Sequence, residues 1–221
     1  MTKNVTVNAT LTHTKSRNMF GLIIVSCNNE KRRIRIRYAK EWGRDALSDI
    51  PSELNTIYKK VKWDSLHIDQ LTGQHLIDSI KKKGMSVKII TTQKDLKNPE
   101  GIEDLEVMDK NEAISLFIKF RQQKKIEFHP NPTGALILLE EQMPLYIEHI
   151  TEAGSVDYYA PGNEYDHLTR GLLMMVFVLR YILEDMSSVF HVGGAVKKKP
   201  LPFAYSRVKL DTRGMSLSDY R

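Results

Sequence analysis

Hydrophobic and polar positions alternate near the start of the chain, where Val5, Val7, Ala9 and Leu11 are separated by polar residues. A period of two puts such residues on one face, so this segment predicts a short strand, or an extension that pairs with a partner. Phe20 to Cys27 is instead an apolar run with β-branched residues, the pattern of a strand buried on both faces. Asn28 to Lys31 carries turn chemistry, and Arg32 to Tyr38 then alternates strictly. That alternation predicts Ile34, Ile36 and Tyr38 on one face and the basic residues on the other. Together the two segments predict an antiparallel hairpin.

From Ser52 the period becomes helical: Leu54, Ile57, Tyr58 and Val61 follow Pro51, a residue suited to a first helical turn. Leu66 to Asp69 reads as a short strand. Leu76, Ile77 and Ile80 form the next helical stripe, with Lys81 to Lys83 at the negative end of its dipole and Gly84 as its stop. Val87 to Thr91 predicts another strand, and Lys94 to Glu106, polar and without period, a loop. Asp109 and Glu112 are spaced as a capping box, and Ala113, Leu116, Phe117 and Phe120 supply the buried face of the helix they open. Ile126 to Phe128 predicts a short strand ended by Pro130 and Pro132. Leu136 to Ile150 reads as helical with a break near Pro144, Ser155 to Tyr159 as an edge strand, and Asp166 to Leu183 as a closing helix. Gly171 to Leu183 is the strongest apolar stretch, but Arg180 interrupts it and a membrane span needs roughly 20 residues. It predicts a buried core helix and no membrane association.

This order gives an α/β fold with a mixed sheet: a β-hairpin near the N-terminus, then alternating helices and strands joined by right-handed crossovers. Residues 1–18 form an N-terminal extension or strand, residues 19–190 one domain, and residues 191–221 a basic tail. A hydrophobic share of 41% and a charged share of 27% exclude disorder as the default. The single cysteine, Cys27, excludes an internal disulfide framework and suits a reducing, cytoplasmic setting. Met1 to Asn18 is polar and has no secretory signal. Of the net charge of +6, most lies beyond Ala195, where seven Lys and Arg face two Asp. Lys197, Lys198, Lys199, Arg207 and Lys209 are therefore candidates for phosphate contact with a nucleic acid. A solvated terminus that keeps the protein soluble explains them as well.

Candidate chemistry gathers at two points. Asp69 ends a predicted strand just before Gln70-Leu71-Thr72-Gly73, and ligands of open α/β sheets collect outside the carboxyl ends of strands. A purely local cap is the alternative reading. Asp166 and His167 open the closing helix after a loop containing Pro161 and Gly162, and Asp166 alone would also serve as an N-cap. His67, His75 and His129 have no metal-ligand spacing with one another. Cys27 reads as a small core residue, and Trp42 and Trp63 as core or rim aromatics.

Several short motifs recur in a family-like order: Ile68-Asp69-Gln70-Leu71-Thr72-Gly73, Lys94 and Lys97, Ile126-Glu127-Phe128-His129-Pro130, Tyr158-Tyr159-Ala160-Pro161, and Asp166-His167. In this order the stretch from about Leu66 to Leu183 resembles the nuclease domain of terminase large subunits. That domain has a ribonuclease-H-like fold related to the RuvC-type resolvases. The resemblance implies a metal-dependent DNA endonuclease acting through two divalent ions, Mg²⁺ or Mn²⁺. Asp69 would be the central acid and Asp166 the acid of the closing helix, with His167 as a third ligand where a second acid is usual. The family's leading aspartate is expected near the end of Phe20 to Cys27, yet Ser26 or Cys27 stands there and Glu30 is the nearest acid. Either Glu30 reaches in from the turn or the site is degenerate. The degenerate case implies an inactive nucleic-acid-binding or assembly subunit of the same fold. No phosphate-cradling G-x-x-x-x-G-K-[ST] motif occurs, so DNA packaging would need a separate packaging or ATPase subunit.

Overall fold

The computed structural model describes residues 4–14, 19–92, 105–132, 134–142, 147–150, 156–159 and 167–184, all within the unit Met1–Met186. β1 (Val5–Thr14), β2 (Met19–Asn28) and β3 (Arg33–Trp42) pair antiparallel in succession. β4 (Ser65–Asp69) pairs parallel with β1, followed by β5 (Val87–Thr92) and β6 (Leu105–Met108); β7 (Ile126–Glu127) pairs parallel with β3. Among the described residues this gives a seven-stranded mixed sheet in the order β6-β5-β4-β1-β2-β3-β7.

The segment at residues 5–14 is thus a strand, and it lies at the centre of the sheet. Its alternating pattern suggests a half-exposed strand, but Thr10 and Thr12 are as buried as Ala9 and Leu11. Their hydroxyls donate to backbone carbonyls of the closing helix, so burial leaves no unpaired polar group there.

The helices split between the two faces. α1 (Ile50–Val61), with Pro51 in its first turn, and α2 (Gln74–Lys82), which ends before Gly84 at φ +79°, cover one face. Leu54, Leu76 and Ile80 pack there with Leu11, Leu22 and Leu66. The other face carries α3 (Lys110–Gln122), α4 (Ala135–Gln142), α5 (His167–Val178) and α6 (Arg180–Leu183). There Phe120, Leu139 and Leu172 pack with Ile23, Val25 and Ile34. Asp109 caps α3 by accepting from the Glu112 N–H at 2.9 Å, as the capping-box spacing predicts. α5 is buried almost all round. Among the described residues no helix is long and apolar enough to cross a membrane.

Three expectations change. Residues 105–108 form β6 rather than the end of a loop, because Leu105 and Val107 alternate and pair with Ile89 and Thr91. Leu136 to Ile150, expected to be helical with a break near Pro144, is helical as α4 over Ala135–Gln142, but beyond Pro144 β8 (Ile147–Ile150) is a strand that pairs with β9 (Val156–Tyr159) in a separate two-stranded sheet. Pro144 cannot continue a helical ladder, and the short Ile-Glu-His-Ile run beyond it fits a strand equally well. Finally, Tyr38 does not share a face with Ile34 and Ile36. The β2–β3 register shifts between Ile24 and Val25, so Arg37 is an extra residue and Tyr38 emerges 37% exposed.

Candidate functional site

In β4, Leu66 and Ile68 face the α1–α2 core, which turns His67 and Asp69 toward α5. Asp69 is 1% exposed. Its Oδ1 accepts from the Leu71 N–H at 3.0 Å and opens a single 3-10 turn, Gln70–Thr72, that ends on Gly73 at φ +92°. The local capping role is therefore real. Its Oδ2 lies 2.7 Å from Nε of Arg170 on α5. One buried carboxylate thus both shapes the strand end and meets a guanidinium.

The register extends this picture across four strands. Leu11 lies opposite Ile68, so Asp69 is level with Thr12; Thr12 pairs with Gly21, and Gly21 with Glu41. Asp69, Thr12, Gly21 and Glu41 form one row beneath the first turn of α5. Strand spacing puts the backbones at its two ends about 14 Å apart. His167 is fully buried, and its Nε2 lies 2.6 Å from Glu41 Oε1 at the far end of the row. His167 and Arg170 stand three residues apart, which puts them on one side of the helix. Each acid of the row is therefore met by a basic side chain from α5.

Two glycines make this close approach feasible. A Cβ on Gly21 would lie 2.8 Å from Cδ2 of His167 and 3.1 Å from Cδ2 of Leu168. A Cβ on Gly171 would lie 3.2 Å from both Ile23 Cγ1 and Thr10 Oγ1. Between them, Thr12 donates to the His167 carbonyl at 2.6 Å and Thr10 to the Gly171 carbonyl at 3.0 Å. These contacts pin the helix start to the sheet centre.

Of the residues singled out from sequence, Asp69 and His167 come to this rim. Asp166, Lys94, Lys97, Ala160, Pro161 and the tail cations Lys197, Lys198, Lys199, Arg207 and Lys209 lie outside the described residues. Ser26 and Cys27 do not stand where a leading acid would. β2 runs antiparallel to β1 and β4, so Cys27 pairs with Thr6 at the opposite rim from Asp69. Of the three antiparallel strands, the one next to β4 is β1, and it brings Thr10 and Thr12 to this face. Glu30 lies in the exposed turn after β2, also at the far rim. Cys27 is a core residue whose thiol burial pushes up to about 11. Burial, then the charge of Lys88, pushes His67 down to about 4; it contacts the Ser65 hydroxyl at 2.9 Å. Glu41 and Arg170 were not singled out. Arg170 had a signal, a lone charge within the apolar run from Leu168 to Val178. Glu41 had none, because it lies beyond the bulge that breaks the alternation of β3.

Among the described residues, this arrangement does not fit a divalent ion. Carboxylate ligands suit Mg²⁺ or Mn²⁺, but Asp69 already carries a guanidinium where such an ion would sit, and His167 contacts Glu41. Among the described residues no three His, Cys, Asp or Glu side chains converge.

No family model matches the sequence, and no curated protein matches it. The likeness lies in the fold. The large terminase nuclease of thermophilic phage G20c, solved with bound magnesium, matches 80% of this chain and 82% of its own, with a TM-score of 0.55 at 9% identity. The HK97 bacteriophage large terminase matches with a TM-score of 0.55 at 11% identity, over 80% of this chain and 40% of its own. The human cytomegalovirus terminase nuclease domain, soaked in manganese, matches 83% of this chain and 85% of its own, with a TM-score of 0.50 at 13% identity. The chain has the ribonuclease-H-like fold of terminase large-subunit nuclease domains.

Proposed function

We propose that this chain is a DNA-binding subunit with a terminase nuclease fold that does not itself hydrolyse DNA and works beside a separate packaging or ATPase subunit. The observation that carries the reading is the Arg170 guanidinium on the buried carboxylate of Asp69. A cation supplied by the chain neutralises the central acid, and β1 brings Thr12 to the same row, not a further acid. Divalent-ion catalysis of phosphodiester cleavage depends on carboxylates left free to hold the ions. Here the carboxylate is spent on holding the closing helix.

A second reading is a metal-dependent endonuclease with Asp69, Asp166 and His167 as ligands of Mg²⁺ or Mn²⁺. It is favoured by the position of Asp69 at the carboxyl end of β4 and by bound cobalt or magnesium in nucleases of this fold. It requires Arg170 to leave Asp69. Cleavage of supercoiled plasmid, measured in Mg²⁺ and in Mn²⁺ alongside DNA binding, separates the two. The expected result is DNA binding without nicking in either metal, with Asp69→Asn leaving affinity unchanged. Metal-dependent nicking that Asp69→Asn abolishes would establish the endonuclease instead.

A further inference from the structure

On the sheet face opposite α5, Arg33, Arg35 and Arg37 follow one another along β3 while Ile34 and Ile36 turn into the α3–α5 core. With Lys31 in the preceding turn they line an open groove of about 320 Å³ whose other walls include Val5, Ser26 and Glu127. α1 and α2 pack on the other part of this face, around Leu22, Ile24 and Trp42. Among the described residues the groove thus presents four cations and one anion. We propose that it binds the phosphodiester backbone of DNA, an inference that rests on the DNA-binding reading above and gives that binding a location.

The guanidinium groups are held ready, not buried. Arg35 donates through Nε and Nη2 to Glu127 Oε2 at 3.1 and 2.8 Å, and Arg33 through Nη1 to Oε1 at 3.3 Å. Arg33 and Arg35 nevertheless remain 50% and 47% exposed. Arg37, the extra residue of the bulge, donates through Nε to the Ser26 hydroxyl at 2.9 Å. One carboxylate and one hydroxyl therefore orient three arginines and leave most of their donors facing solvent. Arg33 to Arg37 spans four strand steps, about 14 Å, with a positive group at every second step. A single phosphate would engage one or two of these groups. A linear polyanion can engage all of them, and each phosphate it neutralises releases condensed counterions.

The test uses the full chain and fluorescein-labelled duplex DNA, with anisotropy read across a salt series. Arg33→Gln/Arg35→Gln/Arg37→Gln should weaken binding by about tenfold or more near 50 mM salt and flatten the log-affinity slope by up to about 0.9 per lost contact. Lys31→Gln/Arg37→Gln, which leaves the pairs to Glu127 intact, should show a smaller loss of the same kind and stands in should the triple variant fail to fold. Glu127→Gln should strengthen binding, since it removes an acid from the groove lining. If the wild type binds DNA but these variants keep its affinity and salt slope, the groove is not the phosphate site. If the wild type binds no DNA at any salt, the DNA-binding reading itself fails.

Discussion

The two charged regions of this sheet hold their charges in opposite ways. At the rim beneath α5, Asp69 is 1% exposed and His167 fully buried, and each meets a partner of opposite character within 2.7 Å. Along β3, three arginines share one carboxylate and a hydroxyl and stay largely in water. A charge taken out of water must be paired, and pairing fixes geometry more than it adds stability. A charge left in water costs little to keep and remains available to a ligand. On the reading proposed above, the paired charges at the rim beneath α5 serve the structure, and the arginines on the other face are the ones left to meet a polyanion.

The sharpest way to break this contrast is to remove Arg170. Arg170→Met should destabilise the fold by about 3–5 kcal/mol, because it leaves Asp69 charged, buried and without its guanidinium. Arg170 is itself 21% exposed, so the lower end of that range is expected. Asp69→Asn/Arg170→Met, which removes both charges, should recover much of the loss. Urea denaturation of the wild type, both single variants and the double variant gives the coupling directly. A coupling near zero would mean that the pair does not hold α5 on the sheet.

A smaller loss is expected where no charge changes. Gly21→Ala adds a Cβ that meets the His167 ring at 2.8 Å and the His167 backbone carbon at 3.3 Å. Backbone cannot yield as a flexible side-chain tip does, so the start of α5 must shift away from the row. Overpacking of this kind costs about 1–3 kcal/mol. The same shift lengthens His167–Glu41, so loss of the imidazole–carboxylate contact, seen as changed His167 ring chemical shifts at fixed pH by NMR, should accompany it. A stable Gly21→Ala with unchanged His167 ring chemical shifts would show that the close approach is not what sets the pairing.

Much of this architecture can be read from the sequence, because α1, α2, α3 and the strands β2, β4 and β5 each carry a periodicity that tertiary contacts leave intact. Asp69 is legible for the same reason: an apolar strand delivers it. The rest depends on contacts between distant segments. The place of β1 is hidden because Thr10 and Thr12 look like solvent-facing residues, yet they bond to carbonyls more than 150 positions away. That hiding transfers the leading strand's role to Phe20–Cys27, and with it the search for an acid goes to the wrong rim. Glu41 is masked by a bulge, which a strict reading of Arg32 to Tyr38 cannot anticipate. Arg170 is visible as a misfit in an apolar helix, but its partner is known only once β4 and α5 are brought together.

The smallest effect is expected at the β3 arginines, and its smallness is the point. Arg35 first, then Arg33, holds the Glu127 carboxyl below the usual carboxylate range through hydrogen bonds and charge. A depressed folded pKa means that the pair stabilises the fold above the unfolded pKa of about 4.3 and loses that contribution as pH falls through the folded value. Both partners are substantially exposed, so solvent screens the pair and Arg35→Gln should cost under about 1 kcal/mol at neutral pH. The loss should shrink further in high salt and vanish in acid, where Glu127 is protonated in both states. Thermal melts of wild type and Arg35→Gln at neutral and acid pH, each at low and high salt, measure this. A neutral-pH loss as large as that of Arg170→Met would mean that Arg35 is a buried structural charge in solution, and the division between a structural rim and a ligand-ready face would collapse.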